Sequence, residues 1–393
     1  MTSAVRIRKN LLAGWDARGW NCLAGLEIKQ LERAKSRLGE AVLDPGQWPS
    51  LMEEICAAVS TTGAALLQTD VRTPDVPMTP SVVDAFKSYF DNNLHVGDIR
   101  AARGMPVLLS GRQVVRDQDL FRSETVMRRD PLYANLERYK LRWFSGVSFH
   151  AGPAMWIMSL QRRIGEGMFG DLELQALASL AGPLTEVASL SRAVGQQVLL
   201  GVLNAFDLIN EPALSISCTG LVVDMNRSAS DLFDADFRVR NNRLYIRDGT
   251  ASQALERMLL ERPVENDIPP LSSAPIGNVI VARRENRKPI LIKVLPVPGA
   301  ARAPFVGARA ILVLRDLDTV RRSALDVLSV AFSLTAAEAK VASLIAAGSS
   351  PEEIASKQQV SRETIRSQIK AIFAKTGTHR QSELAALVSR IQG

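Results

Sequence analysis

SRETIRSQIKAIFAKTG, Ser361 to Gly377, is entered through a serine and closed by a glycine. Four of its side chains, Arg362, Arg366, Lys370 and Lys375, are basic against a single acid, Glu363. A helix that needs only solubility mixes lysine with glutamate. Ile365, Ile369, Ile372 and Phe373 fall at i, i+4, i+7 and i+8 and make one apolar stripe. At about 100° per residue, Glu363, Arg366, Ser367 and Lys370 turn to the opposite side. One face is built for a core and the other for an acidic partner.

Two more helices precede it. TAAEAKVASLIAAG (Thr335 to Gly348) begins with Thr335 and Glu338 at capping-box spacing and ends on a glycine suited to a left-handed closing residue. SPEEIASKQ starts with Ser350 as N-cap, Pro351 at the first helical position and Glu353 completing a second box. Gln359-Val360 then leads to Ser361, a third N-cap. Two short helices joined by a tight turn, the second entered through a serine, form the helix-turn-helix pattern. An arginine and a lysine one turn apart suit a major groove, where arginine takes guanine O6 and N7 together. Ser361 and Thr364, near the helix start, are placed for phosphate. RQSELAALVSRI (Arg380 to Ile391) gives a fourth amphipathic helix that braces the others. Periodicity alone leaves a second reading open, since capped amphipathic helices also build bundles that meet no nucleic acid.

From Phe332 to Leu387 the chain resembles the LuxR-type helix-turn-helix domain. The landmarks are Leu334-Thr335, Glu338, Gly348, Ser350, Ile354-Ala355, Val360-Ser361, Thr364-Ile365-Arg366, Lys375-Thr376-Gly377 and Arg380. The resemblance implies double-stranded operator DNA as partner, with Arg366, Ser367 and Lys370 facing the bases. Ser361, Arg362, Thr364 and Lys375 are the expected phosphate contacts. Gln368 departs from the family, which commonly has histidine there.

The 393 residues are too many for one typical domain, and a formal net charge of +7 permits a polyanionic partner without requiring one. Cys22, Cys56 and Cys218 lie far apart with no CxxC, which disfavours a disulfide framework or zinc site and favours a reduced cytoplasmic protein. The opening MTSAVRIRKNLLAGWDARGW has too short an apolar run for a signal sequence, and no segment offers the roughly 18 apolar residues of a membrane span. GxSxG, Walker, HExxH and GxGxxG patterns are absent, and His95, His150 and His379 have no ligand-spaced partners. No enzyme, metal or cofactor is expected.

Ser215 to Asp316 reads as short strands with helices at Arg227–Phe233 and Ser252–Glu261. TGLVVDMNRSASDLF looks like the opening strand and asparagine of a PAS domain, and Arg283, Arg284, Arg287 and Lys288 are expected at a solvated hairpin tip. Leu26 to Val194 reads as helix, helix, strand, helix, a loop-rich middle, the strand pair of SGVSFHAGPAMWIMSLQRR and a closing helix, an order that resembles a GAF domain. Tyr89 and Asp98 keep the nine-residue spacing of the pair that holds the amide of acyl-homoserine lactones in LuxR-type sensors. Ile99, however, replaces the expected proline, and the nearby tryptophans are missing; Trp143 and Trp156 are read as core. Between the two regions, Leu177, Leu180, Leu184, Val187, Leu190, Val194 and Val198 approach a coiled-coil seam interrupted near Gly182-Pro183 and Gly195.

The expected fold is multidomain. It comprises an N-terminal arm (1–25), an α+β GAF-like sensory domain (26–183), a helical linker and dimerisation segment (184–210), an α+β PAS-like domain (211–322) and an all-α four-helix LuxR-type domain (328–393). The expected function is a sequence-specific, one-component transcription regulator. It would act as a homodimer, with RNA polymerase as a further candidate partner and a small-molecule effector that the sequence does not identify. The rival is a small-ligand sensor or scaffold that docks a protein through its C-terminal helices and binds no DNA.

Overall fold

Two antiparallel sheets and a helical bundle follow one another along the chain, in a computed structural model that describes residues 26–69, 73, 75–260, 279–318 and 322–392. The expected N-terminal arm, with Cys22, lies outside the described residues. The first region opens with α1 (Ile28–Arg37), α2 (Glu40–Leu43), α3 (Trp48–Ala58), β1 (Gly63–Gln68), α4 (Val83–Asp91) and α5 (Ile99–Leu109). Then come β2 (Val114–Arg116), α6 (Asp117–Leu120), α7 (Glu124–Arg128), α8 (Pro131–Arg138) and the hairpin of β3 (Leu141–Ala151) with β4 (Ala154–Arg163). The sheet order is β1-β4-β3-β2.

The middle of this region, expected as loop, is largely helical. Its helices are too short for a periodic signal, and side-chain caps start them instead. Asp98 accepts from the amides of Arg100 and Ala101, Ser123 from Val126, and Asp130 from Leu132.

Next are α9 (Asp171–Ala178) and the 28-residue α10 (Ala181–Leu208). The expected interruption at Gly182-Pro183 does not occur, because Pro183 stands in the first turn, where its missing N–H leaves no bond unmade. The chain breaks at Ser179-Leu180 instead. Leu184, Ala188, Ser191, Gly195, Leu199 and Leu203 recur every three or four residues and are buried. Leu177, Leu180 and Leu184 sit in the first region's own core, so that part of the expected seam packs within one chain. Gly195 does not weaken α10 there; it lets another segment in. A Cβ on it would lie 2.6 Å from the Ala300 carbonyl oxygen and 2.6 Å from Val306 Cγ2.

The second region contains β5 (Ala213–Ile216), β6 (Val222–Met225), α11 (Arg227–Leu232), β7 (Phe237–Arg240), β8 (Arg243–Ile246), α12 (Gly249–Leu260), β9 (Val279–Ala282), β10 (Ile290–Pro296) and β11 (Ala310–Asp316). Its sheet order is β6-β5-β11-β10-β9, with β7–β8 a separate hairpin turned by Asn241 and Asn242 at φ 50° and 57°. Asn226 caps α11 by accepting from the Ala229 amide at 2.9 Å, and the same oxygen takes the Ala213 amide at 3.0 Å. The expectation of a solvated arginine tip fails for Arg284. Asp234, Asp316 and Asp318 converge on its guanidinium, and it is buried.

The two sheet regions meet through an aromatic plug. Phe305, from the β10–β11 connection, enters the first region's core. Its ring stands edge-on to Trp48 at 5.6 Å, Trp156 at 5.0 Å and Phe149 at 6.0 Å. The chain ends in α13 (Arg322–Ala331), α14 (Ala336–Ala346), α15 (Pro351–Gln358), α16 (Arg362–Thr376) and α17 (Gln381–Gln392). Leu384 and Val388 of α17 close the core around Val341, Ile354, Ile365 and Ile372, and Leu328 makes α13 a fifth contributing helix.

Candidate nucleic-acid interface and a buried cavity

Each of the three central helices in this C-terminal bundle is entered through a side-chain cap. Thr335 and Glu338 cap α14 reciprocally, at 3.3 and 2.7 Å. Ser350 and Glu353 do the same for α15, at 3.2 and 2.9 Å. Gln359, at φ 57°, makes the left-handed turn, and Ser361 Oγ accepts from the Thr364 amide at 3.1 Å to start α16. Gly377, at φ 67°, ends it.

Ile365 and Ile372 are fully buried, which fixes the rotation of α16. Arg362, Arg366, Ser367 and Lys370 are consequently exposed. The two guanidinium groups and the Lys370 ammonium make no ion pair with any described residue. Three unneutralised cations on one capped helix attract a polyanion electrostatically. Ser361 and Thr364 are exposed, and their hydroxyls share a hydrogen bond of 2.9 Å.

Lys375 is different. Its Nζ donates to Glu338 at 2.7 Å and to the Ser333 carbonyl at 3.2 Å, and this bond, ahead of the Thr335 amide, holds the Glu338 carboxyl below its ordinary range. These bonds tie α16 to the start of α14. Gln368 has its Oε1 buried without a partner.

In the first region, Tyr89 and Asp98 do come together: Tyr89 Oη donates to Asp98 at 2.8 Å, and both are buried. They line a cavity of about 50 Å³ with walls mainly of apolar side chains, among them Phe86, Leu132, Phe144 and Ile157. Trp143 and Trp156 are buried but do not line it.

Sequence reasoning missed Arg100, which also lines this cavity. It lies in the first turn of α5, two residues past Asp98. It is 8% exposed and packs between the rings of Tyr133 and Phe144, 4.6 and 4.4 Å from their centroids. Its Nε donates to Tyr133 Oη at 2.9 Å and its Nη1 to Gln161 Oε1 at 3.2 Å, while its buried Nη2 has no partner. Behind it, Asp117 accepts from Tyr133 Oη and from the Phe144 amide. Burial pushes the Asp117 carboxyl up to about 6, against the pull of Arg100, and pushes the Tyr133 phenol well above its ordinary value. Nothing in a single sequence distinguishes an arginine that goes inward from one that stays in water. Among the described residues no cluster of histidine, cysteine and carboxylate could hold a metal ion, and no helix is long and apolar enough to cross a membrane. Cys56 is buried, which pushes its thiol up to about 12.

Residues 332–388 match the family model of bacterial regulatory proteins, luxR family. No curated protein sequence matches the chain. Among solved structures, the phage VqmA–DPO complex aligns at 17% identity over 50% of this chain and 90% of that one, with a TM-score of 0.22. The E. coli DhaR(N)–DhaL complex aligns at 11% identity over 74% and 88%, also at 0.22. Scores that low carry no argument about the fold. The family match supports a DNA-binding transcription regulator and points away from an enzyme.

Proposed function

We propose that the protein is a ligand-responsive, homodimeric transcription regulator whose α16 enters the major groove of operator DNA. The observation that carries this reading is the unpaired basic face of α16 within a luxR-family domain. Arg366, Ser367 and Lys370 take the bases, while Arg362, Ser361 and Thr364 take phosphate. Lys375 is left out of the contact set because Glu338 already neutralises it. The first region, 26–183, serves as a GAF-like effector domain around the Arg100 cavity, and 211–322 as a PAS-like domain locked to it by Phe305. RNA polymerase is the machinery that operator occupancy would control.

Dimerisation is assigned to the outer face of α10. Leu190, Ala193, Gln197, Leu200 and Asn204 are exposed and follow one another at alternating three- and four-residue steps, opposite the buried face. That is the spacing of a two-stranded coiled coil, with polar positions that set register. Val187 and Val198 pack against their own chain's cores instead, and Val194 is half-buried.

A salt titration on duplex DNA tests the reading. Phosphate contacts release counterions, so the logarithm of the binding constant should fall linearly with the logarithm of salt. A flat response, with capture of a protein by the isolated 328–393 segment, would favour the scaffold reading.

A further inference from the structure

The exposed side of α16 carries a carboxylate among its cations. Ile365 and Ile372 are fully buried and lie about 200° and 180° around the helix from Glu363, at about 100° per residue. Glu363 therefore stands within about 10° of the direction opposite the buried pair, closer to it than Arg366, Ser367 or Lys370. It is exposed and makes no ion pair or side-chain hydrogen bond with any described residue. Glu338, Glu353 and Glu383 each accept from a backbone amide beside the start of their own helices. Glu363 is spared that role, because Ser361 Oγ takes the Thr364 amide.

A carboxylate brought among phosphates is repelled unless a donor meets it. In the major groove guanine presents two acceptors and thymine one, while adenine sets its N6 donor beside the N7 acceptor. Cytosine presents only the N4 donor, so it is the base that a carboxylate meets without facing an acceptor on the same base. Recognition helices touch base edges with their N-terminal residues, and Glu363 is the second residue of α16. Three residues, about 4.5 Å along the axis, separate it from Arg366. Successive bases lie about 3.4 Å apart, so the two side chains reach neighbouring base pairs.

We infer that Glu363 selects a cytosine, through N4, at the base pair beside the one that Arg366 reads. This deepens the DNA-binding reading above and rests on it. The test uses the full chain and the duplex it selects from a random pool. Arg366→Ala first locates the base pair that Arg366 reads. Each neighbouring pair is then changed to all four bases, in both half-sites, and affinities are compared at one salt concentration. The unmodified chain should prefer cytosine at one neighbour by about tenfold per half-site. Glu363→Ala should bring the four bases there within about twofold, leave the other positions intact, and bind unrelated duplex more tightly because a repelled charge is gone. Glu363→Gln should move the preference to adenine, whose N6 and N7 an amide takes together.

An unchanged cytosine preference in either variant overturns the inference. So does an equal loss on every sequence in Glu363→Ala, which would assign the carboxylate to the positive end of the α16 dipole. In each of these cases the unmodified chain still binds its operator, and the DNA-binding reading stands. Absence of any selected duplex removes both together.

Discussion

Phe305→Ala removes the plug between the two sheet regions, and the structure sets the size of the effect. Phe305 is 6% exposed and packs edge-on against three aromatic rings from the first region. Truncating a buried phenylalanine loses its transfer free energy and leaves a cavity, together about 3–5 kcal/mol. The favourable edge-to-face geometry, worth about 0.5–1.5 kcal/mol per pair, puts this site in the upper part of that range. Trp48 and Trp156 line the socket with rigid rings, and neither can collapse into the gap. Guanidinium unfolding, followed both by tryptophan fluorescence and by far-ultraviolet circular dichroism, measures the loss. With a slope of about 4 kcal/mol per molar, a loss of about 4 kcal/mol lowers the midpoint by about 1 M. The C-terminal bundle has its own core and no tryptophan, so circular dichroism follows it as well, and the tryptophan transition is the one that should move in the variant. A variant tryptophan midpoint within about 0.2 M of the original would refute the view that Phe305 couples the regions.

Three further outcomes follow from other contacts. Gly195→Ala should destabilise by about 1–3 kcal/mol, although alanine is the better helix former, because its Cβ would overlap the Ala300 carbonyl; chemical denaturation measures it. Leu190→Glu with Leu200→Glu charges the outer face of α10 at positions 51% and 39% exposed, so sedimentation should show monomer while stability per chain changes by roughly 0.5 kcal/mol or less. A dimer that survives this double change places the two-fold contact elsewhere. The Asp117 carboxyl is raised in the folded state, so its contribution to stability grows as pH falls through about 6. The stability advantage of the unmodified chain over Asp117→Asn should therefore widen by about 1 kcal/mol between about pH 7 and pH 5, and a narrowing would reverse the assignment.

The C-terminal domain was legible because its signals are local. Thr335 with Glu338, Ser350 with Glu353, Ser361, and the isoleucine stripe of α16 each act within four residues or one helix face, and the structure realises all of them. What the sequence hid depends on distant partners. Arg284 reads as a solvated turn until Asp234 and Asp316 arrive from segments 50 and 32 residues away. Lys375 reads as a phosphate contact, and nothing local shows that Glu338, 37 residues earlier, bonds it. Tyr89 and Asp98 were found by spacing and do meet, but Arg100, the residue that gives the cavity its chemistry, carries no such mark. The helix α10 was visible as a helix, whereas which of its faces is free was not. That choice belongs to the two sheets packed against it, and they cover the valines rather than Leu190 and Leu200.

Selection of duplexes from a random pool by the full-length protein, with sequencing of the bound fraction, tests the central claim most directly. A dimer reading the major groove through α16 should enrich a two-fold symmetric motif with half-sites about 10 base pairs apart, centre to centre. In the same experiment Arg366→Ala should relax one base pair per half-site at a cost of about 1–3 kcal/mol, leaving the other positions intact. A bound fraction indistinguishable from the input pool, or an unchanged motif with Arg366→Ala, would contradict the account.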